Sequence, residues 1–331
     1  MTNDIWIFLG AGVLLVVAGS LLARAADAIA EHTRLGRVWV GTVLLAAATS
    51  LPELMTDIAA VRIGAIDLAA GDLFGSCMAN MLILALVDLA LPKRQVLQHA
   101  SGGHALTSSL AVGLVAIATM ALLLRDATTF AGVSIGSWVL AIVFLGGSFA
   151  VYRDNQTPSA APPSAEQVWS LRTGCWVFAV AAVTIFFVAP PFARSAEGIA
   201  HATGLGSTFV GTLLVGLATS LPELVASFTA VRLGAYDLAV GNLFGSNAFN
   251  MAVFIALDVV HGDASIFAAL SSDHAIGGLA SMLLMAVGLS AISYRARRRF
   301  ALVEPSSALM AVIYVATVAI LYARATGSQA G

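Results

Sequence analysis

The seven residues ATSLPEL at 48–54 recur unchanged at 218–224, each copy setting a proline beside a glutamate inside an oily stretch. The glutamates, Glu53 and Glu223, lie 170 positions apart (223 − 53), and that offset then holds without a gap. GTVLLAAATSLPELMTDIAAVRIGAIDLAAGDLFGSCMANM at 41–81 aligns with GTLLVGLATSLPELVASFTAVRLGAYDLAVGNLFGSNAFNM at 211–251, and about half the positions are identical. Upstream the match weakens but keeps register, with Arg24-Ala-Ala-Asp27 against Arg194-Ser-Ala-Glu197 and Leu35-Gly36 against Leu205-Gly206. The chain is an internal duplication.

Its composition names the solvent. Of 331 residues 59% are hydrophobic and only 10% charged, and the mean hydropathy is +0.93. Soluble domains carry about 25% charged residues, and a membrane-crossing helix takes about 20 apolar residues. Ten runs of that kind are expected, at 5–23, 38–61, 69–91, 105–124, 130–151, 171–193, 208–231, 239–260, 274–293 and 307–323. The fold class expected is an all-α membrane protein of ten transmembrane helices. The N-terminus has no basic segment before its apolar run, so it reads as a first span rather than a cleaved signal.

With ten spans and the N-terminus outside, twelve of the sixteen basic residues fall on the inward side. Only Arg62, Arg125, Arg194 and Arg324 remain outward. Cytoplasmic loops carry the excess of Lys and Arg, so both termini are expected outside. One repeat holds five spans, an odd number, so the second copy enters the membrane from the opposite side. Such inverted halves place a transport site at their interface near the midplane. The expected organisation is a first repeat at 1–153, a cytoplasmic linker at 154–170 that includes DNQTPSAAPPSAEQ (154–167), and a second repeat at 171–331.

The duplicated motif is built for an ion. A proline inside a helix has no N–H to give and frees the carbonyl four residues back. Pro52 and Pro222 are therefore expected to break their helices and loosen the carbonyls of Ala48 and Ala218. Beside them stand Glu53 with Thr49 and Ser50, and Glu223 with Thr219 and Ser220. An ionisable group at membrane depth is costly unless compensated, which marks a functional site. Carboxylates, hydroxyls and freed carbonyls form an all-oxygen set suited to hard cations such as Ca²⁺ or Na⁺. Facing glutamates would repel one another; one divalent cation, two monovalent ions or two protons would each remove that repulsion. A second repeated element runs GDLFGSCMAN at 71–80 and GNLFGSNAFN at 241–250. Ser76 and Asn80, like Ser246 and Asn250, are four apart and share a helix face, and the glycines allow close helix approach.

TSLPEL followed some twenty residues on by GNLFGSNAFN resembles the alpha-repeats of the sodium/calcium exchangers, within the Ca²⁺:cation antiporter superfamily. The resemblance extends over both repeats and implies one cation site built by spans two, three, seven and eight. It implies Glu53 and Glu223 as central ligands, with Thr49, Ser50, Ser76, Asn80, Thr219, Ser220, Ser246 and Asn250 completing the shell. It also implies that spans one and six are long, tilted helices that slide across the other eight. The function expected is antiport of Ca²⁺ against Na⁺ in a prokaryotic inner membrane. The alternative is a Ca²⁺/H⁺ or other divalent cation antiporter using the same glutamates.

Some family members carry an acid where this chain has Asn80 or Asn250, which leaves a nominal site charge of −2 and the counter-ion open. Two acids break the symmetry of the repeats: Asp72 stands for Asn242, and Asp57 for Ser227. Both are candidates for the ion path, although Asp57 is read first as a solvated residue near its helix end. Asp67 and Asp237, before spans three and eight, are expected to cap those helices. Cys77, in place of Asn247, sets a soft thiol near the site. No P-loop is present, and no Ser–His pair or zinc spacing occurs within the spans. An enzyme, a resident cofactor, a nucleotide and a nucleic-acid partner are therefore not expected.

Overall fold

The computed structural model describes residues 2–33, 35–91, 96–154, 169–202, 219–262, 264–294 and 305–327. Its long helices are α1 (Thr2–His32), α2 (Gly36–Arg62), α3 (Ile66–Ala90), α4 (His104–Leu123) and α5 (Ile135–Asp154). After residue 169 come α6 (Leu171–Ala202), α7 (Leu221–Arg232), α8 (Tyr236–His261), α9 (His274–Tyr294) and α10 (Pro305–Gly327). One hairpin, β1 (Thr129–Phe130) with β2 (Val133–Ser134), joins α4 to α5. Among the described residues nine helices are long and apolar enough to cross a membrane, and α7 is the shorter one. The first part of the expected span 208–231 lies outside the described residues, as do Ala218, Leu205-Gly206, Arg34, Lys93, Arg94, linker residues 155–168 and Arg295 to Arg299.

α1 and α6 run well past the apolar windows that announced them, to His32 and Ala202 instead of 23 and 193. A hydropathy window stops at charge, but a helix does not. Asp27, in the extension of α1, meets Arg37 of α2 at 2.6 Å, and Glu31 meets the same guanidinium at 3.1 Å.

The packing follows a two-fold plan. α1 lies against α6, and α4 against α9. Other major contacts come in mated pairs with the repeats exchanged: α1–α7 with α6–α2, α2–α8 with α7–α3, α4–α8 with α9–α3, α5–α8 with α10–α3. α2, α3, α7 and α8 form the centre, α3 and α8 being buried over most of their length. α2 contains a π-helical turn, Val40–Leu45, where it presses on α8. A Cβ at Gly41 would stand 2.6 Å from the Leu238 carbonyl oxygen, and one at Gly241 3.0 Å from that of Val38. Glycine is what lets the two backbones meet there.

Asp67 and Asp237 overturn the expectation placed on them. Neither α3 nor α8 receives a side-chain cap; each aspartate instead reaches into the other repeat. Asp237 accepts from the Ser101 amide at 2.6 Å and lies 3.1 Å from His104 Nε2. Asp67 accepts from the Ser271 amide at 2.8 Å and lies 2.9 Å from His274 Nε2. Every residue of one clamp maps onto the other by the same offset of 170. Near the other ends of the same helices, Asp258 accepts from the amides of Ser134 (2.7 Å) and Ile266 (2.9 Å), and Ser307 donates to Asp88 at 2.9 Å.

Candidate cation site

The ATSLPEL copies sit differently in their helices. α2 runs through Pro52 without interruption, so Pro52 does not break it. The π-helical turn just upstream and the buried Thr49 hydroxyl, which donates to the carbonyls of Leu45 (3.2 Å) and Ala46 (3.1 Å), absorb the irregularity instead. A wide turn or a side-chain hydroxyl is how such helices re-satisfy displaced backbone groups. Pro222 falls in the first turn of α7, where a missing N–H costs nothing.

The two central helix pairs bring several of the expected residues together, Ser50 with Glu223 and Ser76 with Glu53. Glu53 is 6% exposed and Glu223 is fully buried. Ser76 of α3 donates to Glu53 Oε1 at 3.0 Å, and Ser50 of α2 donates across the repeat interface to Glu223 Oε1 at 3.4 Å. Ser50 and Glu223, 173 residues apart in sequence, are thus side-chain neighbours. Asn80 donates to Asn247 Oδ1 at 3.0 Å, and Asn247 donates to the Cys77 carbonyl at 3.2 Å, which ties α3 to α8. Thr49, Ser50, Ser76, Asn80, Ser220, Ser246 and Asn250 are all buried, while Thr219 is half-buried.

These residues include polar atoms with nothing to bond. Among the described residues Glu53 Oε2, Glu223 Oε2, Asn80 Oδ1, Ser220 Oγ, Ser246 Oγ and Asn250 Oδ1 are buried without a hydrogen-bond partner. Buried polar atoms are otherwise paired in the great majority of cases, and leaving one bare costs about 1–3 kcal/mol, more for a charged group. These six oxygens, on or at the start of four helices, are of the kind that hard cations take. No group of three His, Cys, Asp or Glu side chains able to hold a metal occurs among the described residues, so hydroxyl and amide oxygens would have to supplement the two glutamates.

Around this set the repeats diverge. In the second, Asn242 donates to Ser227 at 3.0 Å and meets Thr49 at 3.4 Å. In the first, the same two places are taken by Asp72, half-buried, and Asp57. Asp57 is 1% exposed and not the solvated helix-end residue expected of it. Its position one turn beyond Glu53 gave its face, but the depth came from α3 lying alongside. The bridging roles of Asn242 and Asn247 were also missed; their signal was that both stand where the first repeat has a different residue, Asp72 and Cys77.

Comparison with known proteins agrees with this architecture. The chain is similar to CaxA of Alkalimonas amylolytica, a protein assigned provisionally as an antiporter, with 27% identity over 315 residues, 91% of this chain and 93% of that one. It is similar to the inner membrane protein YrbG of Escherichia coli, with 27% identity over 74% of this chain and 76% of the relative. The structure superposes on the sodium-calcium exchanger NCX_Mj with a TM-score of 0.73 at 21% identity, covering 96% of this chain and 98% of the other. The family model for the sodium/calcium exchanger protein matches twice, at residues 3–154 and 173–324, once for each repeat. The chain belongs to the sodium/calcium exchanger family, and its fold is that of a cation antiporter.

Proposed function

We propose that this protein exchanges Ca²⁺ for Na⁺ by alternating access, the ions being held between Glu53 and Glu223 near the membrane midplane. The observation that carries the reading is the set of unpartnered buried oxygens on Glu53, Asn80, Ser220, Glu223, Ser246 and Asn250. Two carboxylates balance one Ca²⁺ or two Na⁺, and the surrounding neutral oxygens replace water as ligands. Thr49, Ser50, Ser76 and Thr219 complete the surroundings. The transported ions are the only small partners required, with no resident cofactor. The two halves, 1–153 and 171–331, would be joined on the cytoplasmic side by 154–170. The membrane would be a prokaryotic inner membrane, with both termini outside.

Two acids that only the first repeat carries, buried Asp57 one turn beyond Glu53 and half-buried Asp72 one turn before Ser76, favour a second reading, antiport of Ca²⁺ against protons, because they add carboxyl groups near the glutamates on which a proton could be carried. Ca²⁺ uptake into proteoliposomes under a Na⁺ gradient in one set and a pH gradient in another separates the two. Glu53→Gln and Glu223→Gln are expected to abolish uptake in both sets while the protein remains folded. Full activity in these variants would remove the glutamates from the site. Under the second reading Asp57→Asn abolishes the proton-driven uptake alone; under the first it leaves Na⁺-driven uptake unchanged.

A further inference from the structure

A recess of about 810 Å³ opens between α1, α3 and α7 at one end of the molecule, outside the candidate cation site. Its wall is apolar, formed by Val16, Leu86, Val225 and Phe228, and its rim carries Arg24 and Arg232. The geometry places both arginines together. The Thr229 hydroxyl donates to Ser20 Oγ at 3.2 Å across α1 and α7, and Arg24 and Arg232 each follow one turn later on their helices. The Arg232 guanidinium lies over the Phe228 ring, 5.7 Å from its centroid. Both arginines are exposed, and among the described residues neither has an ion pair. The nearby acids are taken: Asp27 and Glu31 by Arg37, and Asp88 by Ser307. No carboxylate lines the recess, so it is a poor entrance for a cation.

Depth decides what it suits. Arg232 is nine residues beyond Glu223 and Ala90 ten beyond Asn80, about 14–15 Å along an α-helix. That is half of a hydrocarbon core about 30 Å thick. With the glutamates at mid-depth, the guanidinium groups stand at headgroup level and the apolar wall lies within the acyl region. Basic pockets between membrane helices bind anionic lipid headgroups. The second repeat does not build the counterpart: Ser20, Thr229 and Phe228 correspond to Pro190, Ala59 and Ile58.

We propose that this recess holds one anionic phospholipid, its phosphate between Arg24 and Arg232 and an acyl chain along Val16, Leu86 and Phe228. The assignment does not depend on which ions are exchanged. The test is native mass spectrometry of the full chain in detergent, titrated with phosphatidylglycerol and, separately, phosphatidylcholine. The wild type is expected to keep one phosphatidylglycerol, with a preference of about thirty-fold over phosphatidylcholine, as two arginines near a surface would give. Arg24→Gln with Arg232→Gln is expected to lose that preference. Val225→Trp, which fills the recess and keeps both arginines, is expected to lose the lipid altogether. Equal retention of the two lipids by the wild type would overturn the assignment, and so would undiminished phosphatidylglycerol binding in the double variant. Displacement of the lipid by equimolar inorganic phosphate would also overturn it, since the arginines would then hold a free anion without help from the groove.

Discussion

Ser76 and Ser246 are the same residue in the two repeats, yet only one of them has a partner. Ser76 donates to Glu53, whereas the Ser246 hydroxyl is buried with nothing to bond. Removing a hydroxyl that bonds a carboxylate sacrifices about 1.5–3 kcal/mol, while removing a bare one relieves a desolvation penalty. Ser246→Ala is therefore expected to leave the unfolding temperature unchanged or raised, and Ser76→Ala to lower it. Both are expected to weaken divalent binding by roughly tenfold, about the worth of one lost ligand contact. Calorimetric titration with Ca²⁺ beside a thermal melt reads the two effects separately. Ser246→Ala with unaltered Ca²⁺ affinity would remove that hydroxyl from the coordination set. The residue types of this site were legible in the sequence because the duplication printed them twice. Their pairing was not, since the bond from Ser50 to Glu223 depends on how the second repeat is laid over the first.

At the scale of the element, the clamps that start α4 and α9 are similar in design and unequal in burial. Asp237 keeps 15% of its side chain exposed and faces a fully buried His104. Asp67 is 55% exposed, and His274 18%. Solvent screens exposed pairs to about 0–1 kcal/mol, whereas a buried aspartate accepting from an amide retains most of a charged hydrogen bond, about 1.5–3 kcal/mol. Asp237→Ala is accordingly expected to lower the melting temperature more than Asp67→Ala, by at least twofold in the shift. Equal shifts would mean that burial does not set the strength of these clamps. Periodicity and hydropathy located nearly every helix, since those signals are local. The additional turns of α1 and the π-helical turn in α2 were not legible, because each is held by a neighbour: Arg37 for α1, and α8 for the turn. The aspartates of the clamps read as caps for the same reason. Near a helix start an acid looks like a cap until the other repeat is in place.

For the molecule as a whole, α1 and α6 form a peripheral pair set across the central four helices, and Ser20 of α1 touches Thr229 of α7. If exchange requires α1 to slide, a tie at that point stops it. Ser20→Cys with Thr229→Cys, in a Cys175→Ser background, is expected to lose uptake on oxidation and regain it on reduction. Uptake that continues with the bridge formed would show that α1 and α7 do not move apart. The inverted plan itself was readable from an odd number of spans and a fixed offset, and the superposition on NCX_Mj bears out the resulting architecture. The clamps carry a consequence of another kind. Residue 67 meets 274, and 237 meets 104, so each half offers an acid and receives one. Reciprocal exchange of the same two patches is the signature of an isologous dimer. The protein is, in form, two copies of one repeat on a single chain, each completed by the other. During synthesis the first copy emerges with Ser101 and His104 still waiting for an aspartate that only the second copy brings.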